Sequence, residues 1–470
     1  MQQKQKVTGI VVAVAMIAGM GGLLFGFDTG IIADTQFQLT AKFNLSDSLW
    51  GVIVSIAVFG AFLGALICGK IADRLGRKNT LILTAIGFLV GTTILGLAIN
   101  LSMLLIGRFV VGFCIGVASF VSPLFISEIS PSRHRGKLVL LNSICITGGE
   151  MVAFLSGYGL HFSGEGSWRL MFLIGLIPAV ILILGLMRLP FSPRWIAETK
   201  GMKGARDILM KIRTSRQEVD DEIVEIEKTL SFKSEHSLKA LFKKPVIHVL
   251  ILGLGLGILQ QFAGINVLMY YGPHLFSSLG ASDSTALFLA FLLGLMNVLF
   301  TIVAVVLVDY LGRRILYLSG TVITASALFL FALSVYSGQL SLWLDVLLLC
   351  LYIMGFAISL GSMFWLLISE IFPLRIRGLA MSFCVAVQWL ANFIVALSFL
   401  PLMDLLGAAT SFFILAFINM LAFFFGMKYL PETKNMTLEA IEFNVEAGKK
   451  AREIGIKTSK RRPSITAVTE

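Results

Sequence analysis

Charge is what this chain of 470 residues has little of: 14% of its residues are Asp, Glu, Lys or Arg, whereas 57% are hydrophobic. About a quarter of the residues of a typical soluble domain are charged. So few charges cannot cover a soluble surface, and the sequence therefore predicts an integral membrane protein. Most of the net charge of +11 lies in short loops and in the tail between Lys449 and Arg462, which indicates membrane topology and not nucleic-acid binding.

Cysteine and histidine are also rare, with five of each. The cysteines are odd in number and lie inside apolar runs, and no close pair of Cys or His has the spacing of a metal site, so neither a disulfide framework nor a metal is predicted. No Walker loop occurs, and we therefore do not expect ATP to drive the protein. We predict no cofactor and no enzymatic activity.

Long apolar runs, by contrast, are abundant. A membrane-spanning helix needs about 20 apolar residues. The first run carries Asp28 and is not followed by a small-residue cleavage site, so we predict a span and not a signal peptide. Twelve runs predict an all-α membrane protein with both termini on one side. The predicted spans are 8–33, 49–69, 79–99, 101–125, 138–161, 168–188, 246–273, 285–308, 315–336, 343–368, 378–400 and 408–428.

Lysine and arginine concentrate in the loops after even-numbered spans, which places those loops and both termini in the cytoplasm. The tryptophans that begin spans at the outer side, Trp50, Trp168 and Trp343, are expected to form an aromatic belt at the lipid interface. The even loops contain Lys70, Arg74, Arg77, Lys78, Arg133, Arg135, Lys137, Arg313, Arg314, Arg375 and Arg377. The odd loops contain Lys42 and the acids Asp34, Asp47, Asp283, Asp345 and Asp404.

The chain contains an internal repeat. The sequence DRLGRK at 73–78 recurs as DYLGRR at 309–314, and Ser127–Glu128 recurs as Ser369–Glu370, each at the same loop position. Repeated halves of this kind rock around a midplane site in many transporters. The repeat predicts a six-helix half at 1–194, charged cytoplasmic linker helices with a solvated face at 195–245, a second half at 246–434 and a basic tail at 435–470.

Acids accompany the arginines of the repeated loops, although topology alone does not require acids. We predict ion pairs between the cytoplasmic ends of the two halves that latch the inner gate when the cavity faces outward. The alternative is that the basic residues only anchor the topology. The candidate gating residues are Asp73, Arg77, Glu128, Arg135, Asp309, Arg313, Glu370 and Arg377.

Polar side chains interrupt the apolar sequence of span 7. Amides and phenols are costly in a span unless they face a wet cavity, and amides both donate to and accept from hydroxyl groups, which suits an uncharged polyol. Gln260 and Tyr271 lie about 20° apart on a helix wheel. A helix break at Gly264 or Pro273 would bring Gln261 and Asn266 to the same face; interhelical hydrogen bonding is the alternative role.

Spans 10 and 11 extend this polar lining with Trp365, Gln388, Trp389 and, one turn later, Asn392. Tryptophan faces stack on the C–H face of sugar rings, and the indole N–H can donate to a hydroxyl. We therefore expect these side chains to share one cavity with the amides of span 7.

Asp28 in span 1 and Arg108 in span 4 are charged residues inside predicted spans. Each would cost about 3 kcal/mol or more if unpaired at the bilayer centre, so we expect them to meet. Burial favours the neutral form of a carboxyl group, whereas a nearby arginine favours the anion. A change of geometry can therefore move a proton on and off Asp28, which predicts proton coupling; a purely structural pair is the alternative.

These motifs resemble the sugar porters of the major facilitator superfamily from Phe25 to Lys434, and the most specific piece is QQFAGIN at 260–266 followed by Tyr270–Tyr271. The resemblance implies the twelve-helix major facilitator fold. In that family, proton symporters keep an acid at the position of Asp28, whereas related uniporters commonly have a neutral residue. The resemblance also implies sugar contacts at Gln260, Gln261, Asn266, Asn297, Trp365 and Trp389.

Span 5 departs from the family's pattern. The family usually has two glutamines seven residues apart, and this chain has Ser143 and Glu150 there. Phe191 also replaces an acid after span 6, and Ser362 replaces a proline in span 10. A carboxylate in the cavity could bind hydroxyls, accept a proton or favour an unusual substrate. Glu150 is thus a further candidate for proton coupling, and Ser143 is a candidate for sugar contact.

We expect a symporter that takes up a pentose or hexose with a proton by alternating access. Its partners would be the sugar, the proton and the lipid bilayer, and it would act as a monomer in a bacterial inner membrane. The alternatives are a facilitative uniporter, an inositol or polyol transporter, a sugar receptor and a drug:proton antiporter.

Overall fold

In a computed structural model the chain forms a bundle of long helices, and the structure describes residues 7–131, 134–231, 238–338, 341–373, 376–434, 436 and 438–456. Within those ranges twelve helices are long and apolar enough to cross a membrane, as predicted. Arg133, Arg375 and the tail beyond residue 456 lie outside the described residues. Spans 1 to 12 are Gly9–Phe43, Asp47–Leu75, Arg77–Gly96, Leu101–Ile129, Arg135–His161, Ser167–Arg188, Ile247–Ser278, Asp283–Leu311, Arg313–Ser337, Leu342–Glu370, Arg377–Leu406 and Ala408–Tyr429.

Local sequence explains where several spans begin. The side chains of Ser46, Asn100 and Ser282 accept hydrogen bonds from backbone N–H groups in the first turns of spans 2, 4 and 8, which satisfies donors that a helix start leaves free. Gly76 and Gly312, from the two copies of the repeated motif, have φ values of 82° and 87°. Both copies therefore make the same turn, in a conformation that is essentially restricted to glycine.

Two acids that the sequence placed in outer loops lie inside the bundle instead. Span 1 continues to Phe43, so Asp34 falls within it and is 2% exposed. Asp345 lies in the first turn of span 10 and is fully buried. Asp34 was misplaced because a single acid ends an apolar run in the sequence but does not end the helix, whereas Asp345 already fell within the predicted span 343–368.

The expected aromatic belt is wrong for two of its three tryptophans. Trp50 and Trp168 are buried inside the bundle, whereas Trp343 is 66% exposed. Trp168 packs edge-on against Phe43 and Phe172. Position at the start of a span does not determine which way a side chain points, and these two point toward neighbouring helices.

The segment between spans 6 and 7 is helical, with described helices at Pro193–Lys200, Met202–Ile212, Arg216–Ser231 and Leu238–Leu241. Its charges were expected to form a solvated face, but Arg213 is buried. The guanidinium of Arg213 forms two hydrogen bonds with Glu222 and donates to the carbonyl oxygen of Ile129 at 2.9 Å. Arg213 thus fixes these helices to the end of span 4.

The spans pack in two groups that meet at the centre. Span 1 packs on spans 4 and 5, and span 2 packs on span 4; in the second group, span 9 packs on spans 10 and 12, and span 7 packs on span 11. Between the groups, span 2 packs on span 11, span 5 on span 8, and span 1 on the second part of span 7. The polar residues singled out by sequence lie where these groups meet.

Candidate functional site

Span 7 is broken, as the sequence predicted, at Gly264. The helix Ile247–Phe262 ends there and Ile265–Ser278 begins, with Gly264 at φ 99°. L-amino acids with a Cβ atom rarely adopt such a φ value, whereas glycine does so without a steric penalty. Pro273 lies inside the second helix and does not interrupt it.

The break brings four amides into one hydrogen-bond network. Gln260 accepts from Gln388 at 2.8 Å and from Gln261 at 3.3 Å, and Asn266 donates to Gln261 at 2.6 Å. Gln260 in turn donates to the carbonyl oxygen of Leu360 at 2.9 Å, where span 10 makes a π-helical turn at Ala357–Gly361. Spans 7, 10 and 11 are thus joined around these amides.

Tyr271, which the helix wheel places about 20° from Gln260, packs against span 11. Its hydroxyl donates to the carbonyl oxygen of Ala396 at 2.6 Å, and its ring stacks on Phe399. The wheel assumed one continuous helix, and the break changes the angular relation between residues on either side of it. Tyr270 instead faces the centre, where its hydroxyl accepts from Asn392 at 3.2 Å.

Two amide oxygens near the centre have no hydrogen-bond partner among the described residues: Oε1 of Gln388 and Oδ1 of Asn392. Both side chains are buried. A buried acceptor left unpaired costs about 1–3 kcal/mol. These two oxygens are therefore available to a ligand that carries hydroxyl donors.

Trp389 connects the second group of spans to the first. Its indole N–H donates to the hydroxyl of Ser119 in span 4 at 3.1 Å, and its ring lies 5.0 Å from that of Phe25 in span 1. Trp365 is partly buried and contacts Phe364 edge-on. Ser119 was not predicted, since a single serine in an apolar span is common and carries no signal.

Asp28 and Arg108 meet as predicted. Nη1 of Arg108 lies 2.5 Å from Oδ1 of Asp28, and Arg108 is 1% exposed. The pair borders a cavity of about 10 Å³ that Phe25, Tyr270 and Trp389 also line, which is about the space that one water needs. In this conformation the centre is nearly closed.

Glu150 and Asn297 also meet, which the sequence did not predict. Nδ2 of Asn297 donates to Oε2 of Glu150 at 2.8 Å. Span 5 and span 8 provide the two residues, so the bond links the two groups of spans. Ser143 lies two turns before Glu150 and is half-buried.

Comparison with known proteins identifies this arrangement. The family model described as "Sugar (and other) transporter" matches residues 14–444. The chain belongs to this sugar transporter family. It is 36% identical over 448 residues to the galactose-proton symporter of Escherichia coli, covering 94% of this chain and 96% of that one. It is also 35% identical over 447 residues to the major myo-inositol transporter IolT of Bacillus subtilis, covering 92% and 94%.

A solved structure gives the same result for the fold. The structure of the major facilitator superfamily proton:xylose symporter XylE with bound 6-bromo-6-deoxy-D-glucose superposes with a TM-score of 0.82 at 31% identity, covering 96% of this chain and 99% of that one. The sugar transporter described here therefore has the all-α major facilitator fold and is a multi-pass membrane protein.

Most of the loop ion pairs of the transporter form within one half, whereas pairs between the two halves were predicted. Arg77 lies 2.9 Å from Glu128 and 3.3 Å from Asp73, and the second oxygen of Glu128 accepts from Ser192. Arg313 lies 2.9 Å from Glu370, which also accepts from Thr433. Neighbouring spans of one half place Arg77 and Arg313 beside acids of the same half, and among the described salt bridges neither arginine pairs with the opposite half.

Two further candidate gating residues make backbone contacts, since Arg135 donates to the carbonyl oxygen of Ser127 and Arg377 donates to that of Phe372. Asp309 does reach the other half, where it lies 3.1 Å from Lys137. Among the described salt bridges this is the one between the two groups of spans. Both side chains are about half exposed or more, so the pair contributes little by itself.

Arg77→Ala is expected to destabilise the transporter by about 3 kcal/mol, because it leaves the buried carboxylate of Glu128 without its cation. The thermal unfolding midpoint of the purified protein in detergent measures the loss. Lys137→Ala is the matched control, because it removes an exposed pair and should cost less than about 1 kcal/mol. Equal shifts for both variants would contradict this account of the loop ion pairs.

Proposed function

We propose that this protein takes up an uncharged monosaccharide together with a proton by alternating access. One observation carries the proposal: Tyr270 and Trp389 of one half and the Asp28–Arg108 ion pair of the other half line the same small central cavity, and Tyr270 is bonded to the amide of Asn392. Neutral amides with free acceptors suit a neutral polyhydroxyl substrate. A buried acid beside an arginine suits a group that gains and loses a proton.

In the proposed cycle, protonated Asp28 favours the outward-open state that receives sugar. Sugar then bonds to Gln260, Gln261, Asn266 and Gln388, stacks on Trp365 and Trp389, and closes the outer side; Ser143 and Asn297 complete the proposed sugar contacts. Release of the proton to the cytoplasm restores the ion pair with Arg108 and resets the empty carrier. A potential of 100 mV contributes about 2.3 kcal/mol per charge, which corresponds to about 50-fold accumulation.

Relatives support a small polyhydroxyl substrate. Their names include a galactose-proton symporter, an arabinose-proton symporter and a glucose transporter, GlcP, of Staphylococcus epidermidis. Inositol is a second candidate because the relative IolT is a myo-inositol transporter, and a cyclic polyol presents the same hydroxyl donors. A facilitator without proton coupling does not require a buried acid that gains and loses a proton, such as Asp28 beside Arg108.

We further propose that the two halves are 1–194 and 246–434, that 195–245 is a cytoplasmic linker and that 435–470 is a cytoplasmic tail. The protein would act as a monomer in a bacterial inner membrane with both termini inside. It would need no cofactor and catalyse no chemical reaction. The loop residues Asp73, Arg77, Glu128, Arg135, Asp309, Arg313, Glu370 and Arg377 would stabilise the inner ends of the halves.

Charge movement in liposomes tests the proposal. Galactose, glucose, arabinose, xylose and myo-inositol are added singly to purified transporter in liposomes without an imposed gradient, and the current is recorded. We expect an inward current with at least one of these five sugars. Sugar exchange without current would show a uniporter, and no response to any of them would contradict sugar transport.

A further inference from the structure

Glu150 joins the two halves inside the membrane through Asn297. The donor Nδ2 of Asn297 is neutral, and each of the two side chains is 5% exposed. None of the salt bridges among the described residues includes Glu150. Glu150 is thus a buried acid whose hydrogen-bond partner is an amide and not a cation.

Asp28 and Glu150 lie on different sides of span 1. A Cβ at Gly26 or Gly30 would meet backbone atoms of Ile146 or Glu150 in span 5, so these glycines allow the two helices to touch. Position 28 is about 200° from position 26 around a helix. The carboxylate of Asp28 therefore points away from span 5 and toward Arg108 of span 4, and the described salt bridge of Arg108 is with Asp28.

The elements packed on span 5 bring no other cation to Glu150 within the described part of the chain. Span 1 presents Asp34 near Gly157, two turns from Glu150 on span 5, and the phenol of Tyr270 lies in the same central region. Spans 6 and 10 place their charges near their ends. On spans 1, 4, 6, 8 and 10 the titratable or charged groups are Asp28, Asp34, Lys42, Arg108, Cys114, Glu128, Arg169, Arg188, Asp283, Asp309, Tyr310, Asp345, Cys350, Tyr352 and Glu370.

The two acids therefore differ in the protonation state that they can hold when the cavity is closed. Asp28 can be buried as an anion because Arg108 compensates its charge. Glu150 as an anion would be a buried charge with one neutral hydrogen bond, which costs several kcal/mol. Glu150 with a proton keeps the bond from Asn297 on Oε2 and carries the proton on Oε1.

We propose that protonation of Glu150 permits the closed state of the transporter, and that the ionised form holds the protein in its open states. Spans 5 and 8 belong to opposite halves, so rocking remakes the Glu150–Asn297 bond in every cycle, and an open cavity exposes the carboxyl group to water. Loaded and empty carriers both pass through the closed state. The proton on Glu150 therefore crosses the membrane in both directions and gives no net proton transport, unlike the proton on Asp28. The inference rests on the proposed sugar transport and adds a control of the transport rate.

The test uses Asp28→Asn as background, which removes the other titrating acid of the cavity. Exchange of labelled galactose, with the other four sugars in parallel, is measured at equal internal and external pH between about pH 6 and pH 9. Because closure requires one proton on Glu150, the exchange rate should fall by up to about tenfold per unit of rising pH once Glu150 ionises. Glu150→Gln is isosteric, keeps an acceptor for Asn297 and cannot ionise. Adding it to the Asp28→Asn background should reduce this alkaline decline of exchange to less than about twofold.

An equal alkaline decline in both variants, or none in either, overturns the role of Glu150. If Asp28→Asn has lost exchange, the wild type and Glu150→Gln are compared, and the wild type should decline more steeply by one proton; equal slopes overturn the inference. If the alkaline decline of exchange depends on Glu150 but the wild-type protein accumulates no sugar, proton coupling is refuted and the role of Glu150 is not. Absence of exchange with all five sugars would refute both proposals.

Discussion

Asp28→Asn is expected to abolish uphill sugar accumulation while sugar exchange continues. Asparagine still accepts a hydrogen bond from Arg108, but it cannot release a proton, so the carrier resembles the protonated form at all times. At about 100 mV and one proton per sugar, accumulation should fall from about 50-fold to none. Uptake into liposomes under an imposed potential, followed by counterflow in the same preparation, measures both quantities.

Asp34→Asn is the matched control for this variant. Asp34 lies in the same helix and is equally buried, but its carboxylate contacts Gly157 of span 5 and has no hydrogen-bond partner among the described residues. We expect Asp34→Asn to keep accumulation. Accumulation that survives in Asp28→Asn would mean that the ion pair with Arg108 is structural and that the transporter is a facilitator.

Gln388→Leu is expected to weaken sugar binding by about 5- to 150-fold. The change removes the free acceptor Oε1 and leaves a substrate hydroxyl unpaired in a closed cavity, which costs about 1–3 kcal/mol. It also removes the donor that Gln388 gives to Gln260. The concentration of sugar that gives half-maximal counterflow measures the effect.

Asn419→Leu separates loss of binding from general damage. Asn419 is a buried amide of the same half, but it donates to the carbonyl oxygens of Ala263 and Leu415 in the wall behind the helix break. We expect this variant to lower the thermal unfolding midpoint and to keep the half-maximal sugar concentration. If Gln388→Leu behaves in the same way as Asn419→Leu, Gln388 supports the fold and does not contact sugar.

Two features of the central site were predicted well. The break at Gly264 lies where glycine interrupts a polar stretch, and the Asp28–Arg108 pair follows from the cost of two opposite charges inside apolar helices. Asp34 shows the limit of that approach, because hydropathy marks it as the end of an apolar run and gives no indication of what surrounds it. The roles of the sugar and gating residues stay predictions until the variants above are measured.

The sequence by itself determined the number of spans, the repeat of the loop motifs and the polar character of span 7, because hydropathy and motif identity are properties of neighbouring residues. Only the tertiary structure decided that Tyr270 and not Tyr271 faces the cavity, that Glu150 receives Asn297, and that Arg77 and Arg313 pair within their own halves. A helix break changes which residues share a face, and the choice among several acids for one arginine depends on which helices pack side by side. Neither can be read from local periodicity.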